Sequence, residues 1–236
     1  LVGAENGETN GRSVSTDLEG NIYITGETNV GISEQTIESN SNSYFIAKYT
    51  NSGSLLWTKL VGAASGQTVS SSISTDTDNN AYITGYTNES ISGENKIGLI
   101  DYFIAKYSAT GSLIWTREAG TESLAAVGLG INVSHTSGEI YVTGAIGLFD
   151  IVSGGAIAHS HYNDVTVFLK SYLAKYTESG SLLWTEELGT ESGASAGSGV
   201  AVDSTGNAYI SGTTDIGLAG ESQVGSVDYF IAKYYP

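Results

Sequence analysis

The chain contains no cysteine and no methionine, and its one proline is the last residue, Pro236. Without cysteine, disulfide scaffolds, thiol enzymes and thiolate zinc sites are excluded. Basic residues are scarce: 9 Lys and Arg stand against 25 Asp and Glu, a formal charge of −16. A phosphate backbone needs a basic footprint, so nucleic acid is excluded as a partner. The same deficit argues against docking on an anionic bilayer. No run of 18 apolar residues occurs, so no segment reads as a membrane-spanning helix.

What the chain does have is 236 residues, 40% of them hydrophobic, with 31 Gly and 15 Tyr. That length fits one domain or two small ones, with enough apolar material for a sizeable core. The Gly and Tyr content leans towards strands joined by many turns.

Internal repetition decides the organisation. One segment recurs as Asn21-Ile-Tyr-Ile-Thr-Gly26, Asn80-Ala-Tyr-Ile-Thr-Gly85, Glu139-Ile-Tyr-Val-Thr-Gly144 and Asn207-Ala-Tyr-Ile-Ser-Gly212. A second recurs as Tyr44-Phe-Ile-Ala-Lys-Tyr49, Tyr102-Phe-Ile-Ala-Lys-Tyr107, Ser171-Tyr-Leu-Ala-Lys-Tyr176 and Tyr229-Phe-Ile-Ala-Lys-Tyr234. A third occurs only three times, as Gly53-Ser-Leu-Leu-Trp57, Gly111-Ser-Leu-Ile-Trp115 and Gly180-Ser-Leu-Leu-Trp184. Tyr49, Tyr107, Tyr176 and Tyr234 follow one another at intervals of 58, 69 and 58 residues, so the third unit carries an insertion.

Each unit reads as four short antiparallel strands in chain order. The first ends at Asp17, Asp76, His135 or Asp203, and a tight Gly/Asn turn leads to the second. A long variable loop leads to the third strand, and a Ser-Gly turn to the fourth. The pattern shows no helical periodicity. The expected fold is therefore all-β, a β-propeller of four blades with four strands each. The blades fall at about residues 4–62, 63–120, 121–189 and 190–236 of one domain. Trp57, Trp115 and Trp184 are expected to pack between sheets rather than to stack on a ligand.

The run Gly199-Val-Ala-Val-Asp-Ser-Thr-Gly-Asn-Ala-Tyr-Ile-Ser-Gly212, followed by Asp228-Tyr-Phe-Ile-Ala-Lys233, resembles the SBBP repeat. This is a β-propeller repeat found mainly in bacterial surface and secreted proteins. The resemblance implies a propeller and an extracellular or cell-surface setting, and it carries no catalytic motif. Members usually have six or seven blades, whereas four are present here.

The last blade lacks its own outer strand, because the chain stops at Tyr235-Pro236. Leu1-Val2-Gly3 matches Leu60-Val61-Gly62, the tail of an outer strand. Residues 1–3 are thus a candidate closing strand for the fourth blade. Two other readings stay open: a fragment of a longer propeller, or a neighbouring subunit that supplies the edge. The assembly edge then comprises Leu1, Val2, Gly3 and Tyr229, Phe230, Ile231, Ala232, Lys233 and Tyr234. The start at Leu1 reads as processing or excision.

The three histidines all lie in the third unit. His159 and His161 with Asp164 are weak candidates for a divalent metal. His135 belongs to a turn on the opposite face, so exposed loop histidines are the expectation. Asp76-Thr-Asp-Asn-Asn80 resembles the start of a calcium loop but reads as a hairpin turn whose Asp bonds its own amides. Fourteen of the 25 acids fall in the loops joining second to third strands and successive blades. These form a candidate acidic face for cations, basic proteins or sugars. Lys48, Lys106, Lys175 and Lys233 occur once per blade and are expected to make ion pairs or snorkel at an edge.

The function these observations imply is a non-enzymatic structural or adhesive module of a secreted or surface protein, without cofactor. Its expected partner is itself, in a ring or filament, through the open blade edge. The alternatives are an extracellular glycan- or protein-binding propeller using the acidic face, and a metal-dependent hydrolase or lyase.

Overall fold

The computed structural model describes residues 3, 7–33, 35–36, 42–63, 65–148, 151–152, 156–157, 168–190 and 192–236. These residues contain strands and turns and no helix. Sheet 1 comprises β1 (Thr9–Thr16), β2 (Ile22–Thr28), β3 (Ser43–Tyr49) and β4 (Leu55–Val61). Sheet 2 comprises β5 (Thr68–Thr75), β6 (Ala81–Thr87), β7 (Asp101–Tyr107) and β8 (Leu113–Ala119). In the third unit β9 (Ala125–Val133) and β10 (Ile140–Gly147) are followed by a small hairpin, β11 (Ile151–Val152) with β12 (Ala156–Ile157). Sheet 3 is then completed by β13 (Leu169–Tyr176) and β14 (Leu182–Leu188). Sheet 4 has three strands, β15 (Ser195–Val202), β16 (Ala208–Thr214) and β17 (Asp228–Tyr234). All neighbours within these sheets are antiparallel. The four-unit reading of the sequence thus corresponds to four sheets, the last without an outer strand among the described residues.

The recurring Thr-Gly or Ser-Gly of the second strand has a steric cause. The first strand bulges opposite it, between Gly11 and Ser13 in sheet 1, and presses a carbonyl against the glycine. A Cβ on Gly26, Gly85, Gly144 or Gly212 would sit 1.8–2.0 Å from the carbonyl oxygens of Asn10, Val69, Val127 and Ala196. No other residue fits there.

The sheets stack in chain order. The first strand of each lies on the face of the preceding sheet, β5 on sheet 1, β9 on sheet 2 and β15 on sheet 3, and the contact thins towards the outer strands. Among the described residues no comparable contact joins sheet 4 back to sheet 1. The core is therefore three inter-sheet layers. Tyr44 and Ile46 meet Phe103, Ala105 and Tyr107 in the first. Tyr102 and Ile104 meet Tyr172, Ala174 and Tyr176 in the second. Leu173 and Tyr141 meet Ala208, Ile210 and Phe230 in the third. Burial of this apolar surface, at about 25 cal/mol per Å², is the main stabilising term.

One alignment is corrected. Ser134, not His135, takes the place of Asp17. The Asp17 amide bonds the Asn21 carbonyl, and the equivalent bond runs from Ser134 to Glu139. The turn in the third unit is one residue longer, which shifts the register read from sequence.

Candidate functional site

The distinctive site is the outer edge of β17. In sheet 1 the matching edge of β3 is filled by β4, with Phe45 opposite Leu60 and Ala47 opposite Thr58. Leu60 packs there with Ile32, Phe45 and Ala47. Gln35 clamps the strand: its side chain donates to the Thr58 carbonyl at 2.5 Å and accepts from the Leu60 amide at 2.8 Å. In sheet 4 the same places are held by Leu218, Phe230, Ala232 and Glu221, and no strand covers them among the described residues. With Leu188 and Ile216 these residues line an open groove of about 310 Å³. The groove is mostly apolar and runs beside a bare row of backbone donors and acceptors, the geometry that accepts an added strand.

The sequence-predicted edge residues divide in two. Tyr229, Ile231 and Lys233 are exposed, while Phe230 is buried and Ala232 and Tyr234 are half-buried against sheet 3. Leu1 and Val2 lie outside the described residues, and Gly3 is in no strand. The groove residues Ile216 and Leu218 were not expected. The signal for them was in the sequence as a second recurring element, Ile32-Ser33, Ile91-Ser92 and Leu218-Ala219. In each the second residue takes a positive φ of 50–52° and turns the apolar one inward.

The lysines form one repeated constellation at the opposite end of the sheets. Lys48 pairs with Asp17 at 3.1 Å, and Lys106 with Asp76 at 3.7 Å and Glu178 at 2.8 Å. Each ammonium also lies over a tyrosine ring, Lys48 over Tyr23 at 4.8 Å and Lys106 over Tyr82 at 4.9 Å. Trp57, Trp115 and Trp184 meet the same tyrosines edge-on. Burial opposes the Lys48 charge, but the Tyr23 hydroxyl and the Asp17 carboxylate outweigh it and hold its pKa above the usual value. Burial likewise opposes ionisation of Asp17, and bonds from Asn21 and Lys48 outweigh it and lower its pKa. In sheet 3, where the Asp is Ser134, Glu139 moves in and pairs with Lys175 at 2.9 Å. In sheet 4 Lys233 lies over Tyr209 and Tyr235 instead. The lysine–tyrosine contact recurs in all four sheets, and a carboxylate joins it in the first three.

Among the described residues, four acids of the acidic loops are engaged by their surroundings. Asp101 accepts from the amides of Ile97 and Gly98 at 2.6 and 2.7 Å. Asp228 does the same for Val224 and Gly225, and Asp215 for Ala194. Glu94 meets Arg117 at 3.5 Å. The turn reading of Asp76 is seen directly, since its carboxylate accepts from the amides of Asp78 and Asn80. His135 donates from Nε2 to the Thr75 carbonyl of sheet 2 at 3.0 Å. His159, His161 and Asp164 lie outside the described residues. Among the described residues no three His, Asp or Glu side chains gather as metal ligands.

Three stretches, residues 1–32, 56–91 and 183–219, match the family model of the SBBP β-propeller repeat. The chain carries SBBP repeats. The matched stretches divide the structure in an instructive way. Residues 56–91 run through β4, β5 and β6 to Ile91, and residues 183–219 run through β14, β15 and β16 to Leu218. An SBBP repeat thus starts in the outer strand of one sheet and ends at the inward-turned loop residue of the next. An alignment over 135 residues is 28% identical to an uncharacterized WD repeat-containing protein of Acanthamoeba polyphaga mimivirus. The alignment covers 46% of this chain and 10% of that protein. A crystal structure of a protein of unknown function from Bacteroides caccae is 13% identical, with a TM-score of 0.48. The likeness covers 98% of this chain and 62% of that one, so the chain spans less than two thirds of either relative.

Proposed function

We propose that the chain is a non-enzymatic module of propeller type, in which the four sheets are blades and the last has three strands. Its working surface is the open edge of β17, which takes up an outer strand from a partner. The module serves as a structural or adhesive unit of a secreted or surface protein and assembles with its own kind into a ring or filament.

The observation that carries this reading is the groove of about 310 Å³ beside β17. It is lined by counterparts of the residues that seat β4 in sheet 1. Strand addition draws affinity from main-chain hydrogen bonds and selectivity from alternate side-chain pockets. The SBBP repeats and the WD-repeat name of a relative support a repeat protein that binds through its scaffold. The polar side chains described above are spent on turns, loops and inter-sheet ties, which supports a role other than catalysis.

The test is a labelled peptide with the sequence of residues 54–62, Ser-Leu-Leu-Trp-Thr-Lys-Leu-Val-Gly. Saturable binding is expected, and it is expected to be lost with Leu218→Glu, which charges the groove. A scrambled peptide that binds equally well, or an intact peptide that does not bind, sinks the proposal.

A further inference from the structure

Three junctions inside the chain are built from equivalent residues. At the first, Tyr44 stacks on Phe103 with ring centroids 5.0 Å apart, and its hydroxyl lies 2.8 Å from that of Tyr107. At the second, Tyr102 lies against Tyr172 at 5.0 Å, and its hydroxyl bonds that of Tyr176 at 2.5 Å. At the third, Ser171 stands in the tyrosine place, its buried Oγ without a partner, and Leu173 meets Phe230. Each sheet thus offers a forward face from alternate residues of its third strand and receives its neighbour on the other.

Two such faces meet no other sheet among the described residues. The forward face of sheet 4 carries Tyr229 and Ile231, which are 83% and 70% exposed, where Tyr44, Ile46, Tyr102 and Ile104 are buried. The receiving face of sheet 1 presents Ile24 and Tyr49, beside Phe45 and Ala47 that are already buried against Ile32 and Leu60, along an open groove of about 710 Å³. Ile24 and Tyr49 are half-exposed there, whereas their equivalents Ile83 and Tyr107 are fully buried.

We propose that these faces are the two halves of one more junction, made between copies: sheet 4 of one molecule seats on sheet 1 of a second. The residues match place by place. Tyr229 repeats Tyr44, Phe45 repeats Phe103 and Tyr49 repeats Tyr107, so the junction between copies has the aromatic set of the first junction in the chain. The polar contacts match too. Lys48 reaches the Ala109 carbonyl at 3.4 Å, and Lys106 reaches Glu178 at 2.8 Å, in the outer turn of the next sheet. The residue at that place in sheet 1 is Asn51, which offers Lys233 a carbonyl and a side-chain oxygen. The interface is heterologous, so it propagates head to tail into a ring or a filament. The inference rests on the propeller reading but uses the sheet face, where the proposal above uses the β17 edge.

The test uses the full chain in sedimentation velocity over a concentration series, with circular dichroism as a check on folding. The mass of the unmodified chain is expected to rise with concentration. Ile231→Asp on the forward face and Tyr49→Asp on the receiving face are each expected to weaken association by about tenfold or more. A mixture of the two variants is expected to form a heterodimer and nothing larger, because one retains a good receiving face and the other a good forward face. A chain that stays monomeric, variants that associate normally, or a mixture that stays monomeric overturns the inference. Excess peptide of residues 54–62 separates the two proposals. A face junction persists in its presence, whereas association that the peptide abolishes belongs to the edge and overturns the face. Peptide binding by a strictly monomeric chain leaves the edge proposal standing alone.

Discussion

Trp57 donates its indole N–H to the carbonyl oxygen of Ala109, 3.1 Å away in the outer turn of the neighbouring sheet. Gly111 of that turn lies under the indole, and a Cβ there would sit 2.8 Å from the ring. Trp115 and Gly180 repeat the contact one sheet further on, with a Cβ distance of 3.2 Å. The Gly-Ser-Leu-x-Trp element therefore supplies both halves of a tie between sheets: the glycine receives the preceding tryptophan and the tryptophan reaches the next glycine. Trp57→Phe keeps the aromatic packing and removes the hydrogen bond, and is expected to cost about 1 kcal/mol. Trp184 has its tyrosine, Tyr141, at 6.4 Å, and among the described residues sheet 4 places no outer turn beside it. Trp184→Phe is expected to be close to neutral. Urea titrations of both variants check this, and equal losses would reduce the role of Trp57 to ring packing.

The four lysines at one sequence place are expected to differ in weight. Lys48 and its partner Asp17 are both buried, so Lys48→Met strands a carboxylate and is expected to cost about 3 kcal/mol. Lys233 is exposed and faces tyrosine rings, so Lys233→Met is expected to leave stability nearly unchanged. Thermal melts of the pair at neutral pH are the measurement. A similar fall in both would mean that the lysines act through their aliphatic stems alone.

Sheet 3 tests whether the tie is a matter of charge or of one particular residue. Its carboxylate comes from Glu139 at the end of the turn rather than from the start, where Ser134 stands. Glu139→Gln removes the partner of Lys175 and is expected to destabilise, and adding Ser134→Asp is expected to recover part of the loss. Coupling between the two changes of about 1 kcal/mol is expected in a double-mutant cycle. Additive effects would show that the longer turn keeps an aspartate at residue 134 out of reach.

The sheets were legible because repetition fixes their number and the apolar–polar alternation fixes their faces. The fourth strand expected after the Ser-Gly turn is found there as β4, Leu55–Val61. β1 was less legible. Its first half, Thr9-Asn-Gly-Arg, is polar and glycine-containing, and it joins the ladder through a bulge that no local pattern announces. His135 was aligned with Asp17 because a similar strand follows each four residues on. Only the hydrogen bonds reveal the extra residue in the turn. The charge of the acidic loops was countable in the sequence, while the amides that Asp101 and Asp228 accept from were not. The groove beside β17 was half legible: the Trp element without a fourth copy pointed to the edge, while its seat at Ile32, Ile91 and Leu218 was not expected, because that recurrence is only two residues long.

Glu118 carries the clearest pH dependence. It lies on β8, buried, with one carboxylate oxygen accepting from the Ile91 amide at 2.5 Å and the other without a partner. Desolvation dominates over that hydrogen bond, nearby Asp101 and Glu94 add repulsion, and the pKa rises to about 7. A carboxyl whose pKa is higher in the folded than in the unfolded chain binds its proton more tightly when folded. Its contribution is fully present below pH of about 4.5 and is lost as pH rises through about 7. Glu118→Gln keeps the acceptor for Ile91 and removes the charge. It is expected to stabilise by about 1 kcal/mol above pH 7, allowing for screening by solvent, and to give no gain in the acid range. Chemical denaturation across pH reads both limbs. A stabilisation by Glu118→Gln that is the same at all pH values would mean that the carboxyl stays in one protonation state throughout, and that its burial, not its ionisation, sets the cost.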